Sequence, residues 1–249
     1  MIAAKGTIKG YGEGAPRSYV TGESPDSAVE SIGRFTRQDN FPWELNDVAQ
    51  IWDFVDSLSN GKTHNSAICA IETALLDAVG KRRNTSIIEY FPKKFLTSVI
   101  YYGAAIPLAD KQKTLEFSRL IKNKKINRVK LKMGKDYAQN KANIEAVHHV
   151  FGNDCDLKVD VNGAWNRVRA YQHISLLKEY KVKVLEQPMI PNDPDLADFA
   201  DLMQLSGIIL MADESACSLK DAKKIGEMVI IKWSISDFPN AAVSGIHSS

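Results

Sequence analysis

The chain has 249 residues, of which 44% are apolar and 25% are charged, proportions that are ordinary for a folded globular protein. Its 32 basic and 30 acidic residues give a net charge of +2, which offers no electrostatic basis for binding nucleic acid or an anionic membrane. The three cysteines are far apart and lack metal-ligand spacing, and no apolar run is long enough to span a membrane. We therefore expect a cytoplasmic protein with one large domain or two modest ones.

The N-terminal part of the chain differs in pattern from the rest. The segment "TIKGYGEGAPRSYVTGES" begins like a strand and then becomes a loop rich in glycine and proline. Helical segments follow, and the clearest is predicted over Asn65 to Arg83, where apolar residues recur at helical spacing. Asn65 or Ser66 is the predicted N-cap of this helix. We assign residues 1–95 to a separate domain.

From about Leu96 onward, predicted strands alternate with predicted helices. Six strands are expected within residues 96–106, 128–134, 156–161, 182–188, 207–215 and 227–233. This alternation predicts βα units and a parallel sheet, and several such units in a row favour a (β/α) barrel over an open sheet. No glycine-rich phosphate loop follows the first strand, which argues against a dinucleotide-binding fold. The fold class we predict is α/β, with a partial TIM-type barrel over residues 96–249.

Charged residues stand at the ends of four successive predicted strands. Lys132, Asp160, Glu186 and Asp213 follow one another at intervals of 28, 26 and 27 residues, about the length of one βα repeat. Parallel strands lie about 4.8 Å apart, so three carboxylates at neighbouring strand ends can converge on one point. Crowded carboxylates repel one another, and a set of oxygen ligands suits Mg²⁺ better than Zn²⁺. Each acid alone is more often a cap or turn residue, but the regular spacing favours a joint site.

Two further polar pairs share the faces of these strands. Lys130 and Lys132 are two residues apart on one strand, so both point to the same side. An ammonium beside a metal ion and a second ammonium releases its proton more easily, which makes a neutral amine available as a base. Asn162 lies two residues after Asp160 and is expected to help orient a ligand. We interpret the remaining conspicuous side chains as surface or packing residues: His148, His149, His173 and Trp165.

The motifs "VKLKMG", "DVNGAW", "EQP" and "ADES", in this order, resemble the enolase superfamily and, within it, the muconate lactonizing enzyme subgroup. That subgroup includes dipeptide epimerases, o-succinylbenzoate synthases and N-succinylamino acid racemases. The segments "GYGEGAPRSYVTGES" and "AICAIETALLDAVGK" resemble parts of the capping domain that precedes the barrel in this family. The resemblance therefore implies that residues 1–95 are an incomplete α+β capping domain.

The resemblance also implies a site and a reaction. Three Mg²⁺ ligands are implied, namely Asp160, Glu186 and Asp213. Lys132 would be the acid/base and Lys130 its partner, and Arg17 would bind substrate from a capping loop. Asn162 is expected to bind substrate as well, from its place on the same strand face as Asp160. The implied reaction removes the proton α to the carboxylate of a small molecule and forms an enolate, with a racemase or epimerase as the first choice. Two alternatives stay open: a synthase-like dehydratase or cycloisomerase, and a non-catalytic truncated remnant.

The chain departs from the family pattern at both ends. Only nine residues precede Gly10, so we expect the capping domain to lack the first strands that the family has there. Lys232 is present in the predicted sixth strand, but Ile235 stands where the subgroup has a second catalytic lysine. We expect a barrel of about six strands that is truncated at its C-terminus, and a frameshift after Lys232 is one hypothesis for this.

Two consequences of that expected truncation follow. A sheet that does not close has an unpaired edge through which two copies can pair, which leaves homo-oligomerisation open. Racemisation that needs two lysines should fail, whereas chemistry that needs Lys132 alone could survive.

Overall fold

The computed structural model describes residues 2–3, 8–58, 63–91 and 99–228. The chain divides into two compact units. Among the described residues, the first unit contains those up to residue 91 together with Cys217–Lys220, and the second contains Val99–Ala216 and those from Asp221 onward. The predicted domain boundary after residue 95 lies outside the described residues and stays a prediction.

The first unit is mainly helical around a short antiparallel strand pair. Its elements are β1 (Ile2–Ala3), β2 (Lys9–Gly10), α1 (Pro25–Phe35), α2 (Val48–Leu58), α3 (Asn65–Arg83) and a 3-10 helix (Ile87–Tyr90). The helix predicted over residues 65–83 is confirmed. Helices α1 and α2 both contact α3, and Phe35, Ile51 and Leu75 are buried in the core between them. The unit therefore has its own hydrophobic core.

The N-terminus of α3 is capped from a distant part of the sequence. The N-cap residue is His64, with a φ of 67° and no side-chain capping bond, so the predicted cap at Asn65 or Ser66 is wrong. Instead, the buried carboxylate of Glu23 accepts hydrogen bonds from the backbone N–H groups of Ser66 at 3.0 Å and Ala67 at 3.4 Å. The first N–H groups of a helix need acceptors and favour negative charge. Because Glu23 supplies both, a local capping residue is not required.

The segment "GYGEG" runs closely along α3. Cβ atoms added at Gly10, Gly12 or Gly14 would each come within about 2 Å (1.9 to 2.1 Å) of a carbonyl oxygen of α3. The oxygens that they would meet belong to Ala74, Ala70 and Ser66, which are four residues apart and therefore lie one helical turn apart. Glycine at every second position thus lets an extended segment pack directly against the helix backbone.

The second unit is a layer of helices on a parallel sheet. Its elements are β3 (Ala104–Ile106), α4 (Lys111–Asn123), β4 (Arg128–Lys132), α5 (Tyr137–Phe151), β5 (Asp156–Asp160), α6 (Arg167–Glu179), β6 (Val184–Glu186), α7 (Leu196–Ser206), β7 (Ile209–Met211) and α8 (Leu219–Met228), whose first two residues belong to the first unit. Strands β3 to β7 pair in sequence order, and every pair is parallel. The predicted α/β fold class with a parallel sheet is confirmed.

The alternation of side chains along the strands separates a core face from a polar face. Leu131, Val159 and Leu185 are fully buried in the cluster that the strands form with the helices. Residues on either side of them point the opposite way, because successive side chains of a strand alternate. No helix of the described residues is long and apolar enough to cross a membrane.

The observed strands are shorter than predicted, for example Val184–Glu186 within 182–188 and Ile209–Met211 within 207–215, and two predicted strands differ further. Of the strand predicted over 96–106, only Ala104–Ile106 is a strand, and residues 96–98 lie outside the described part of the chain. Of the strand predicted over 227–233, Glu227 and Met228 belong to α8, and the rest lies outside the described residues. Leu219, Ala222 and Ile225 precede Met228 at intervals of three, which is a helical spacing.

Trp165 and His173 pack together inside the second unit. The Trp165 side chain is buried, which confirms its predicted packing role, and its ring stacks on that of His173 with centroids 4.1 Å apart. His173 is also fully buried, and desolvation lowers its pKa. Trp165 Nε1 and Asn140 Nδ2 both donate to the carbonyl oxygen of Gly134 at 2.8 Å. This cluster therefore fixes the loop that begins directly after β4.

We predict that Gly12→Ala destabilises the first unit by about 1–3 kcal/mol, because the added Cβ would overlap the backbone of α3 and something must shift. Urea unfolding measures the change. Gly33→Ala in α1 is the matched control, because its Cβ would meet only the flexible end of Arg37, and alanine favours helices. Equal unfolding free energies for Gly12→Ala and the parent chain would show that the close approach to α3 is incorrect.

Candidate active site

The parallel register places lysines and carboxylates side by side at the ends of three strands. Lys132 on β4 is the register partner of Asp160 on β5, and Asp160 is the partner of Glu186 on β6. All three lie on the face opposite to the helix-packed residues, and Lys130 shares that face because it is two residues before Lys132. The structure thus brings together four of the residues that the sequence singled out.

The ammonium groups compensate the buried carboxylates. Lys130 Nζ donates to both carboxylate oxygens of Glu186, at 3.1 and 3.2 Å, and lies 3.7 Å from Oδ2 of Asp160. Lys132 Nζ lies 3.1 Å from the same Oδ2. The side chains of Asp160 and Glu186 are 1% and 2% exposed, whereas those of Lys130 and Lys132 are 28% and 30% exposed. Buried charges of this kind need close partners, and here the partners remain partly accessible to a ligand.

Asn162 links this group to a further carboxylate. Its Oδ1 accepts from Lys132 Nζ, its Nδ2 donates to Oε1 of Glu214 at 2.8 Å, and its backbone N–H donates to Oδ1 of Asp160 at 3.1 Å. The φ of Asn162 is 47°, a left-handed conformation that asparagine tolerates better than most residues. Asn162 therefore bridges the β4 lysine and the loop after β7.

Sequence reasoning missed Glu214. Strict alternation would place it on the face opposite to its neighbour Asp213, and the only signal was the pair of adjacent acids in "ADES". Strand β7 ends at Met211, however, so alternation no longer applies at Glu214. Its side chain is 6% exposed and turns toward Asn162.

Burial and neighbouring acids perturb Glu186. Its pKa is raised to about 7, mainly by desolvation and also by the charges of Asp160 and Asp213, while Lys130 opposes the shift. Asp213, which lies beyond the end of β7, makes the smallest contribution to this shift. A carboxylate with a raised pKa next to other acids is typical of functional sites.

The donor set fits a hard divalent cation by its chemistry, although a complete metal cluster is not assembled. Asp160, Glu186 and Asp213 offer only oxygen atoms, and the first two already share one cationic group, the ammonium of Lys130. Within the part of the chain that the structure describes, no three or more histidine, cysteine, aspartate or glutamate side chains are gathered as a metal site. The Lys130 ammonium lies within 4 Å of both the Asp160 and the Glu186 carboxylates, at 3.7 and 3.1 Å.

The remaining positions singled out in the sequence are Arg17, Lys232 and Ile235. Arg17 belongs to the first unit, where its exposed side chain donates to the hydroxyl oxygen of Tyr19 at 3.0 Å, and its predicted role in substrate binding stays a prediction. Lys232 and Ile235, on which the expected loss of a second lysine depends, lie outside the described residues.

Comparisons with known proteins agree with this architecture. Residues 114–231 match the family described as enolase C-terminal domain-like. The N-succinyl-L-Arg/Lys racemase of Bacillus cereus is 27% identical over 219 residues, which cover 88% of this chain and 58% of the racemase. Muconate cycloisomerase 1 of Acinetobacter baylyi is 27% identical over 212 residues, or 82% of this chain and 55% of the relative.

A solved structure shows the same fold. The dipeptide epimerase of Enterococcus faecalis, in a crystal structure with Mg and the dipeptide L-Leu-L-Tyr, matches with a TM-score of 0.72 at 22% identity, over 88% of this chain and 60% of the epimerase. The parallel sheet, its helices and the strand-end charges thus define a partial (β/α) barrel, as predicted. Residues 114–231 are thus similar to the enolase superfamily, and the proteins that the chain resembles include mandelate racemase and muconate lactonizing proteins. It spans about 60% of the length of these relatives.

We predict that Glu186 makes the chain less stable as the pH rises when divalent cations are removed by a chelator. The raised pKa means that stability is greatest below about 4.5 and is lost as the pH approaches about 7, because the folded chain must then bury a charge. The loss is up to about 3 kcal/mol. Urea unfolding of the parent chain and Glu186→Gln across this range measures it. If the difference in unfolding free energy between the parent chain and Glu186→Gln does not change with pH, the buried environment assigned to Glu186 is contradicted.

Proposed function

We propose that this protein catalyses Mg²⁺-dependent removal of the proton α to a carboxylate, with an enolate intermediate and racemase- or epimerase-like chemistry. One observation carries the proposal: the register that aligns Lys132, Asp160 and Glu186 on the open face of adjoining strands. The relatives named above are racemases, epimerases and cycloisomerases, which supports a reaction of this family. Because the chain spans only part of those relatives, the activity remains a proposal for the whole protein.

Asp160, Glu186 and Asp213 would hold the cation. Mg²⁺ bound there would polarise the substrate carboxylate and stabilise the negative charge that develops when the adjacent carbon loses its proton. The crystal structure of the Enterococcus epimerase with Mg and a dipeptide supports this choice of metal. The raised pKa of Glu186 is a further support, since a divalent ion favours the ionised form that crowding of the acids opposes.

Lys132 would move the proton. Its side chain is 30% exposed, and its Nζ is oriented by Oδ2 of Asp160 and Oδ1 of Asn162, so it can reach a ligand while its position is fixed. Lys130 would be the partner of Lys132 and would help to bind the substrate carboxylate. Asn162 would orient the lysine, and Arg17 would contact substrate from the capping loop.

The substrate is a small carboxylate, and the relatives suggest two classes to test, N-succinyl amino acids and dipeptides. A dehydratase or cycloisomerase is the second candidate, because a muconate cycloisomerase matches at the same identity as the racemase. That chemistry would need Lys132 as its only lysine base. We also propose a cytoplasmic location, which the three free cysteines support.

We predict that the chain exchanges the α-proton of one of these substrates for deuterium in a Mg²⁺-dependent manner, and that Lys132→Ala and Asp213→Asn each reduce exchange by at least about 100-fold. Proton NMR in D₂O measures the rate. Lys183→Ala is the matched control, because this lysine pairs with Asp156 at the opposite end of the strands. Exchange that survives Lys132→Ala would refute the assigned base, and a parent chain without exchange on either class would favour a non-catalytic remnant.

A further inference from the structure

Gln187 follows Glu186 directly at the end of β6, and its side chain uses its full hydrogen-bonding capacity. Nε2 donates to the carbonyl oxygen of Met189 at 2.7 Å and to Oγ of Ser215 at 2.6 Å. Oε1 accepts from the backbone N–H groups of Asp213 at 3.0 Å and Ser215 at 3.1 Å. A side-chain amide offers two donors and two acceptor lone pairs, and here all four are engaged while the residue is 2% exposed.

The backbone of Gln187 joins the same structure. Its N–H donates to the carbonyl oxygen of Met211 at 2.9 Å, and its own carbonyl oxygen accepts from Gly163 at 2.7 Å. Gln187 therefore contacts the segments that follow β5 and β7 as well as its own strand. Its φ of 37° lies in the left-handed region, which costs a non-glycine residue of order 1 kcal/mol or more and persists only where the surroundings hold it.

Asp213 needs such support because it lies beyond the sheet. Among the described residues, strand β7 ends at Met211, so Asp213 lies beyond its ladder with β6. The bond from its N–H to Gln187 ties it instead to the residue next to Glu186. A cation shared by Glu186 and Asp213 requires their separation to be held closely, and changing the groups that support metal ligands typically lowers metal affinity by about 10–100-fold.

We propose that Gln187 is a positioning residue that sets the Asp213 segment relative to Glu186 and thereby prepares the site for its cation. The inference rests on the proposed function, because it assumes that these two carboxylates share a metal ion. The competing interpretation is that Gln187 only stabilises the strand ends. A structural role of that kind would change the free energy of unfolding without changing the metal affinity of the folded chain.

Calorimetric titration of the purified full chain with Mg²⁺ separates these interpretations. Gln187→Met keeps the size and loses every polar contact, so the affinity for Mg²⁺ should fall by about 10–100-fold. Gln187→Asn is a second variant in case Gln187→Met does not fold. It keeps an amide but is one methylene too short to reach Asp213, so we expect a similar loss of affinity. Gln139→Met is the matched control: the Gln139 side-chain amide donates hydrogen bonds to Ala109 O and Asn143 Oδ1, away from the carboxylates, so this variant should leave the affinity unchanged.

Amide hydrogen exchange provides a readout that needs no metal. The N–H of Asp213 should exchange slowly in the parent chain and faster in Gln187→Met or Gln187→Asn. Two results would overturn the positioning role alone. One is a Gln187 variant with a lower free energy of unfolding whose Mg²⁺ affinity stays within twofold of the parent chain. The other is an unchanged exchange rate of the Asp213 N–H in these variants. A parent chain that binds no Mg²⁺ would overturn the proposed function and this inference with it.

Discussion

The site depends on one physical constraint. The parallel register buries carboxylates at neighbouring strand ends, and these carboxylates need positively charged groups beside them. Asp160 and Glu186 are almost fully removed from solvent and stand beside each other in the ladder. Lys130 and Lys132 project from β4, and their ammonium groups lie 3.1 to 3.7 Å from oxygens of these carboxylates, which offsets the cost of burying them. A divalent cation can take part in the same compensation, and the ammonium groups are then close to any ligand that the cation holds.

Beyond the strand ends, side-chain amides replace the sheet ladder. Asn162 and Gln187 both have positive φ angles at the points where the chain leaves β5 and β6. Asn162 connects Lys132 to Glu214, and Gln187 connects the residue after Glu186 to the backbone of Asp213. The strands fix the height of the charged groups, whereas these amides fix the loops that complete the site.

Local patterns in the sequence predict most of this arrangement. The intervals between Lys132, Asp160, Glu186 and Asp213 correctly predict consecutive parallel strands, and the first three are true register partners. The spacing works because each βα unit has a similar length and each strand has a two-residue period. The roles of these residues in binding metal and moving a proton remain predictions.

The features that the sequence did not predict depend on long-range contacts. Glu214 was not predicted because strand β7 ends before it. The hydrogen bonds of Gln187 join residues that are 26 to 28 positions apart in the sequence. The α3 cap supplied by Glu23 is 43 residues away from Ser66, so no local capping rule can find it. His173 could be either a surface or a packing residue from its helical position, and its stacking on Trp165 depends on tertiary packing.

The most direct test of the central claim is a crystal structure of the chain soaked with Mn²⁺, in which anomalous scattering locates the ion. We expect one peak at the polar face of the sheet, with oxygens of Asp160, Glu186 and Asp213 all within about 2.0–2.4 Å and Lys132 next to it. A peak elsewhere, or an ion that contacts only one of these carboxylates, would contradict the account.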